Sequence, residues 1–295
     1  MAESPAVARR RIRLALRTAR EAKGLTQSQV AEAMEWSLSK VMRIESGDVS
    51  VSVSDLRALL PYLDVTNTTE ANQLFADAKV ARRQRYSVDP QYREHLPAGL
   101  LQLMQFEPEA TAIRYFSSGL IPGLLQTPMY AAAIFDIYTA GLSDATIKVR
   151  MEARLERRDR VFSQAHPPTY LAILDESVLY REIGGPHVME EQLHLLLRTM
   201  ADDHVSVRII PFTAPAPIAL LGPFCILDMG DDQDAILYRE GPGGDEIVRA
   251  RRELTKHRDI FDRLWSLAYE EDDSRNLVRV GAEAMSVRAA RTEPV

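Results

Sequence analysis

The side chains that most often carry out catalysis occur in this chain of 295 residues, but their spacing forms no catalytic arrangement. Histidines are scattered through its second half, at His166, His187, His194, His204 and His257. The sequence contains no His-Glu-x-x-His pair, P-loop or Gly-x-Gly-x-x-Gly loop, the spacings that hold zinc or phosphates. Asp175 and Glu176 would point to opposite faces of a strand, and Ser177 beside them does not lie in a nucleophile elbow. We therefore expect no enzyme, no metal ion and no cofactor.

The single cysteine, Cys225, excludes an internal disulfide and a thiolate-based zinc site. It lies in an apolar run over residues 222–227, which predicts a buried thiol. The overall composition, 46% hydrophobic and 26% charged, is that of a globular protein, and the length suits about two domains. Because the sequence has neither a membrane-spanning apolar run nor a signal-peptide core, we expect a cytoplasmic protein that contacts no membrane.

Basic side chains offer a different chemistry, the neutralisation of nucleic-acid phosphates. The net charge of the chain is −6, but it is unevenly distributed. Residues 1–85 contain 14 Lys and Arg and 10 Asp and Glu, a net charge of +4, whereas residues 86–295 contain 22 and 32, a net charge of −10. Four arginines concentrate the positive charge near the start: Arg9, Arg10, Arg11 and Arg13. One end of the chain therefore suits DNA, which the other end would repel.

The elements that would position such a contact are helices. Apolar residues at helical spacing predict a first helix that ends near Gly24. Thr26 and Ser37 are good N-caps for two short helices, and a fourth helix follows over residues 54–63. Two short, tightly joined helices are the layout of a helix-turn-helix. We assign residues 7–66 to this bundle of four to five helices and residues 67–85 to a connecting helix.

The same residues resemble the Xre/Cro-type helix-turn-helix family, which includes phage repressors. Ala31 must be small where two helices cross, and Gly47 suits a left-handed turn. The full set that carries the resemblance is Gly24-Leu25-Thr26-Gln27, Val30-Ala31, Met34, Val41 and Ile44-Glu45-Ser46-Gly47.

The resemblance assigns roles by position. The helix that begins at Ser37 would enter the major groove, where Arg43 would contact guanine, Leu38 a thymine methyl group and Ser39 either kind of base pair. Contacts to phosphate are implied for Gln27, Ser37 and Lys40. Two such domains on a palindromic double-stranded operator would be needed for specificity, so the resemblance implies a homodimer.

Three further residues of this region are expected to have structural roles rather than to contact DNA. Arg20 and Glu45 occupy positions that form an ion pair in some relatives. Trp36, just before the recognition helix, is expected to pack in the core rather than to contact bases.

The remainder of the chain predicts an α+β domain over residues 86–273 with a small mixed β-sheet, so that the whole protein is mainly α. Helices are expected over residues 106–116, 147–162, 187–200 and 246–269, and strands over residues 169–174, 205–211, 224–228 and 235–238. The last of these helices, with Leu254, Phe261, Leu264 and Trp265, is a candidate dimer interface, although packing on its own sheet is at least as expected. Residues 274–295 lose apolar density and are assigned to a C-terminal tail.

This second region resembles the domain that follows the Xre motif in many actinobacterial regulators, among them WhiJ-like and antitoxin-like proteins. The most specific stretch is Pro122-Gly123-Leu124-Leu125-Gln126-Thr127. The resemblance implies a regulator of transcription paired with a small neighbouring protein, and it brings no catalytic site.

The function of the second domain stays open at this point. A protein partner would use an exposed apolar patch at residues 218–221, and the resemblance favours this alternative. A small-molecule sensor would use a pocket under the loops at residues 211–217 and 241–244. An enzyme with an appended DNA-binding domain is the third and least favoured alternative.

Overall fold

The computed structural model describes residues 5–46, 49–82, 90–138, 142–215, 220–230, 235–240 and 244–292. The chain divides into two compact units, residues 1–89 and 90–295. No helix within the described ranges is both long enough and apolar enough to cross a membrane.

The first unit is a helical bundle around one apolar core, and three of its helix boundaries have a clear local cause. Gly24, with φ +69°, ends the first helix, and the side chain of Thr26 caps the second. Ser52 caps the fourth helix by accepting from the Asp55 amide. The helices are α1 (Pro5–Ala22), α2 (Gln27–Ala33), α3 (Leu38–Ser46), α4 (Val53–Tyr62) and α5 (Thr68–Arg82).

Helix α5 is part of this bundle. Leu74 and Ala78 are buried in its core, and α5 packs along α1. The buried carboxylate of Asp77 accepts hydrogen bonds from Arg11 at 2.7 and 3.1 Å, so at least one of the N-terminal arginines ties helices together. The segment that the sequence predicted as a connection therefore completes the helical core.

The second unit contains a six-stranded sheet in the order β3-β2-β1-β4-β5-β6. Strands β1, β2 and β3 run parallel, whereas β4, β5 and β6 each pair antiparallel with the preceding neighbour in the sheet. This mixed sheet with its helices confirms the predicted α+β domain. In chain order the elements are α6 (Pro90–His95), α7 (Ala98–Phe106), β1 (Ala112–Ser117), α8 (Pro128–Tyr138), α9 (Asp144–Phe162), β2 (Thr169–Asp175), α10 (Pro186–Thr199), β3 (Val205–Ile210), β4 (Phe224–Asp228), β5 (Ala235–Arg239), β6 (Glu246–Val248), α11 (Arg251–Leu267) and α12 (Glu271–Thr292).

Two predicted helices are wrong in part. Residues 106–116 form the end of α7, a short 3-10 turn and strand β1, because β1 gains hydrogen-bonded neighbours on both sides in β2 and β4. Residues 246–248 form β6 at the edge of the sheet, and the helix starts only at Arg251. Isolated apolar runs of this length do not distinguish a strand from a helix.

The apolar stripe of α11 packs on its own sheet. Leu254, Phe261 and Leu264 are buried in one cluster with Phe116 and Phe224 of the strands. The prediction that these residues form a dimer interface is therefore wrong, and the alternative, packing on the sheet of the same chain, is confirmed.

The predicted C-terminal tail is also wrong for residues 274–292. They belong to α12, which packs against α10 and buries Val278, Ala282 and Met285. Gly281 allows close approach, since a Cβ atom there would lie 3.4 Å from Cδ1 of Leu193.

Candidate functional site

The joined helices α2 and α3 are held by hydrogen bonds at the start of each helix and in the turn between them. Thr26 Oγ1 accepts from the Gln29 amide at 3.2 Å, and Gln29 Oε1 accepts from the Thr26 amide at 2.8 Å, a complete capping box. In the turn, Glu35 adopts φ +54° and the Trp36 amide donates to the Ala31 carbonyl at 2.8 Å. Ser37 Oγ accepts from the amide at position 40, as predicted for an N-cap.

One face of α3 is exposed and the opposite face is buried. Val41 and Ile44 lie in the core, whereas Leu38, Ser39 and Arg43 are exposed. These three predicted base-contacting residues therefore lie on the outer surface of α3.

Met42, which was not among the predicted contacts, is 50% exposed on this same surface, next to Leu38 at 43%. The i, i+4 spacing of the two residues was the available signal. Exposed apolar side chains on a helix of this kind suit contact with thymine methyl groups.

Two of the predicted phosphate-contacting residues have partners within the bundle. The ammonium of Lys40 lies 3.6 Å from the centre of the Trp36 ring and 3.3 Å from a carboxylate oxygen of Asp55. Gln27 Nε2 donates to a carboxylate oxygen of Glu45 at 2.8 Å. Their contacts to phosphate, and that of Ser37, stay predictions.

The predicted ion pair beneath the motif is confirmed. Arg20 donates to both carboxylate oxygens of Glu45, at 2.6 and 2.9 Å, and a third hydrogen bond reaches the Leu25 carbonyl at 2.8 Å. The hydrogen bond to Glu45 raises the pKa of Arg20 above its usual value, although partial burial opposes the shift. Arg20, Gln27 and Glu45 thus join α1, α2 and α3.

The second unit contains a cavity of about 380 Å³ at the edge of the sheet where β1 and β5 end. Tyr115 and Ser117 of β1, Glu240 after β5 and Arg154 of α9 contribute polar groups. Apolar side chains from α7 and α8 line the same space, including Leu100, Met104, Ile134 and Phe135. Ligands of sheets with parallel strands commonly bind at this carboxyl-terminal edge.

The segment Pro122–Thr127 forms part of the cavity wall, and its own hydrogen bonds fix its shape. Gln192 of α10 donates to the Leu125 carbonyl at 2.8 Å and accepts from the Thr127 amide at 2.7 Å. Gln126 Nε2 donates to the Ile121 carbonyl at 2.5 Å, while its oxygen accepts from Arg154. The stretch with the strongest resemblance is therefore an ordered wall that positions a guanidinium group.

A buried ion pair lies beside the cavity. Arg157 donates to the two carboxylate oxygens of Glu107, each at 2.6 Å. Burial alone would lower the pKa of Arg157, but the attraction and hydrogen bonds of Glu107 outweigh it and raise this pKa above its usual value.

Other predicted features have mixed outcomes. Cys225 is buried, as predicted, and burial raises the pKa of its thiol well above the usual value. No group of three or more metal-ligating side chains occurs in the part of the chain that the structure describes. Gly47 and residues 216–219 and 241–243 lie outside the described residues. They include the end of the predicted loop 211–217, half of the predicted patch 218–221 and most of the predicted loop 241–244.

Comparisons with known proteins agree with this division. Residues 11–74 match the model of a helix-turn-helix domain, so the first unit is a helix-turn-helix DNA-binding domain. Residues 100–280 match the model of a domain of unknown function (DUF5753), and the chain belongs to that family. No curated protein and no solved structure matches the chain.

Proposed function

We propose that this DNA-binding protein is a sequence-specific regulator of transcription whose helix α3 enters the major groove. The observation that carries the proposal is the exposed surface of α3, where Leu38, Ser39, Met42 and Arg43 lie outside the core of a helix-turn-helix domain. The buried residues of α3 hold it on the bundle, so its exposed side chains lie on the surface that would face the base edges.

Each side chain has a distinct part in this proposal. Arg43 reads guanine by paired hydrogen bonds, and Leu38 with Met42 forms an apolar surface for thymine methyl groups. Gln27, Ser37 and Lys40 contact phosphates and set the register without reading sequence. Two chains bind as a homodimer to a palindromic operator, as expected for domains of this layout.

Selection of binding sites from random double-stranded DNA, followed by fluorescence anisotropy on the selected site, tests the proposal. We expect saturable binding that weakens with salt, and Arg43→Ala should lower the preference for the selected site by about tenfold or more. Lys79→Ala is the matched control, because it removes a positive charge from the exposed surface of α5. Equal losses in the two variants, or no selected sequence, would refute the role of α3.

The C-terminal domain is proposed to modulate DNA binding by binding an effector. A ligand that prefers one arrangement of the two DNA-binding domains changes operator affinity by the ratio of its affinities for the two arrangements. The cavity beside β1 and β5 supports a small-molecule effector, because it combines apolar walls with a few polar groups.

A small partner protein, as in antitoxin-like regulators, is the second candidate. The rings of Tyr180 and Phe212 stack with centroids 6.0 Å apart although both are more than half exposed, and Leu220 is 84% exposed. Exposed aromatic and apolar groups favour protein contacts. Titration with the purified product of the neighbouring gene should show binding that Phe212→Ser weakens. Binding that is absent, or unchanged in this variant, would exclude this surface.

A further inference from the structure

We infer that the cavity of the second unit binds a small zwitterion with an apolar body, of the class of apolar amino acids and short peptides, through Arg154 and Glu240. The inference deepens the proposed effector role of this domain and names the chemistry of the ligand. It is carried by the charges and shape of the cavity wall.

We assign the carboxylate contact to Arg154; Arg150 also lines the cavity, but its Nε donates to the His95 carbonyl at 2.9 Å. The guanidinium of Arg154 donates to Gln126 Oε1 and lies 4.9 Å from the centre of the Phe135 ring. No carboxylate of the described residues lies within ion-pair distance of it, whereas its neighbour Arg157 is paired with Glu107 through Nε and Nη2. Burial, together with repulsion from Arg157, lowers the pKa of Arg154 to about 10, so the group stays charged at neutral pH. Its remaining N–H groups suit a carboxylate.

Glu240 is the complementary acid, and Asp245 also lines the cavity. Burial raises the pKa of Glu240, and a ligand ammonium group beside it would favour the charged carboxylate. The Glu240 carboxylate accepts a hydrogen bond from the Tyr115 hydroxyl at 2.9 Å, and no cation of the described residues forms an ion pair with it. Arg154 and Glu240 attract each other across the cavity without contact, since each influences the pKa of the other. A molecule between them that carries a carboxylate and an ammonium group satisfies both.

The rest of the wall selects for an apolar body. Leu100, Met104 and Ile134 line the cavity, and its volume of about 380 Å³ exceeds what a simple ion needs. A dicarboxylate would be repelled by Glu240, and a hydrocarbon would leave the charge of Arg154 without a partner. A zwitterion with an aliphatic or aromatic side chain meets each of these conditions.

Gln126 holds the cation in position, and the backbone at Gly123 passes beside it. A Cβ atom on Gly123 would lie 3.5 Å from Nη1 of Arg157 and 3.8 Å from Nε of Arg154, so the backbone passes close to both guanidinium groups. Gln126 orients Arg154 through its amide oxygen while its nitrogen is held by the Ile121 carbonyl. Gln126 is therefore a positioning residue for Arg154.

Thermal-shift and calorimetric titrations of the full chain test the inference. The probes are leucine, phenylalanine and leucyl-leucine, each at up to about 10 mM. N-acetyl-leucyl-leucine lacks the ammonium group and leucyl-leucinamide lacks the carboxylate, so they are the chemical controls. We expect at least one zwitterion to raise Tm and bind saturably, and leucyl-leucine to bind about tenfold or more tightly than either blocked form.

Variants assign the two contacts. Arg154→Gln should weaken binding of the zwitterion about tenfold or more but leave leucyl-leucinamide unchanged, and Glu240→Gln should leave the acetylated peptide unchanged. Arg154→Lys keeps the charge and should retain part of the affinity. Lys148→Gln, at an exposed position of the same helix, is the matched control. Circular dichroism checks that each variant is folded.

Three results would overturn the inference: no zwitterionic probe binds, blocked and unblocked peptides bind equally, or folded Arg154→Gln and Glu240→Gln bind like the unmodified chain. None of these titrations contains DNA. Failure here therefore leaves the proposed DNA recognition standing, and failure of DNA recognition leaves ligand binding measurable.

Discussion

Replacing Arg157 by Met removes one partner of the buried ion pair beside the cavity. The Glu107 side chain is 1% exposed and would lose two hydrogen bonds of 2.6 Å, while its charge stays out of water. Breaking such a pair from one side costs about 3–5 kcal/mol. Because the Arg157 side chain is itself only 10% exposed, little of this cost is relieved by water, and we expect a loss of about 3 kcal/mol.

The same reasoning predicts a strong coupling between the two residues. The double variant Glu107→Leu with Arg157→Met buries no charge, so it should be more stable than Arg157→Met alone. The single-variant losses should therefore not add.

Urea unfolding measured by tryptophan fluorescence isolates the effect. The chain has two tryptophans, and in a Trp36→Phe background the remaining Trp265 reports on the second unit, where it stacks on Phe261 at 5.7 Å. Lys148→Met, on the same helix as Arg157 but exposed, should change the free energy of unfolding by less than about 0.5 kcal/mol. A loss below about 1 kcal/mol for Arg157→Met, or additive losses in the double variant, would refute the buried pair.

Three further predictions concern a cap, a carboxylate and the thiol. Thr26→Ala should lower the stability of the first unit by about 1 kcal/mol, measured by thermal unfolding, whereas Thr26→Ser should retain most of it. Desolvation of the Glu240 carboxylate, with a smaller contribution from Asp245, raises its pKa above the ordinary 4.5. The hydrogen bond from Tyr115 and the attraction of Arg157 and Arg154 oppose this shift. The folded chain thus keeps a proton that the unfolded chain releases, so this stabilisation is complete below pH 4.5 and is lost as the pH rises through the raised value. Glu240→Gln should flatten that decline in urea unfolding measured across the range, and an unchanged decline would contradict the shift. Cys225 should react with a thiol reagent only after unfolding, and a rapid reaction of the folded chain would contradict its burial.

The helix-turn-helix could be predicted because its signals are local. Thr26, Gly24 and Ser37 act on backbone groups within a few residues of themselves, and the core positions follow the helical period. The same helical period predicted which side chains of α3 are exposed, except that Met42 was not recognised.

Strand β1 could not be predicted in the same way. Ala112 pairs with Thr169 and Asp228, which lie far along the chain, and only these partners decide that the run is a strand. In α12 the apolar positions 278, 282 and 285 do follow a helical period. The low apolar density of residues 274–295 hid this period, although the acidic residues Glu271, Asp272 and Asp273 favour the first turn of a helix.

The cavity depends on still longer separations, since Tyr115 and Glu240 are 125 residues apart and Glu107 and Arg157 are 50 apart. In the sequence, only the family resemblance singled out Pro122–Thr127, and nothing local distinguishes this segment from a turn between helices. In the folded chain the side chain of Gln126 is held by the Ile121 carbonyl and orients Arg154, and Gln192 fixes the backbone of the segment. A simple turn between helices would not need a side chain that orients Arg154 in the cavity wall. Of the two proposed effectors, these contacts favour the small molecule in the cavity over the partner protein at Phe212.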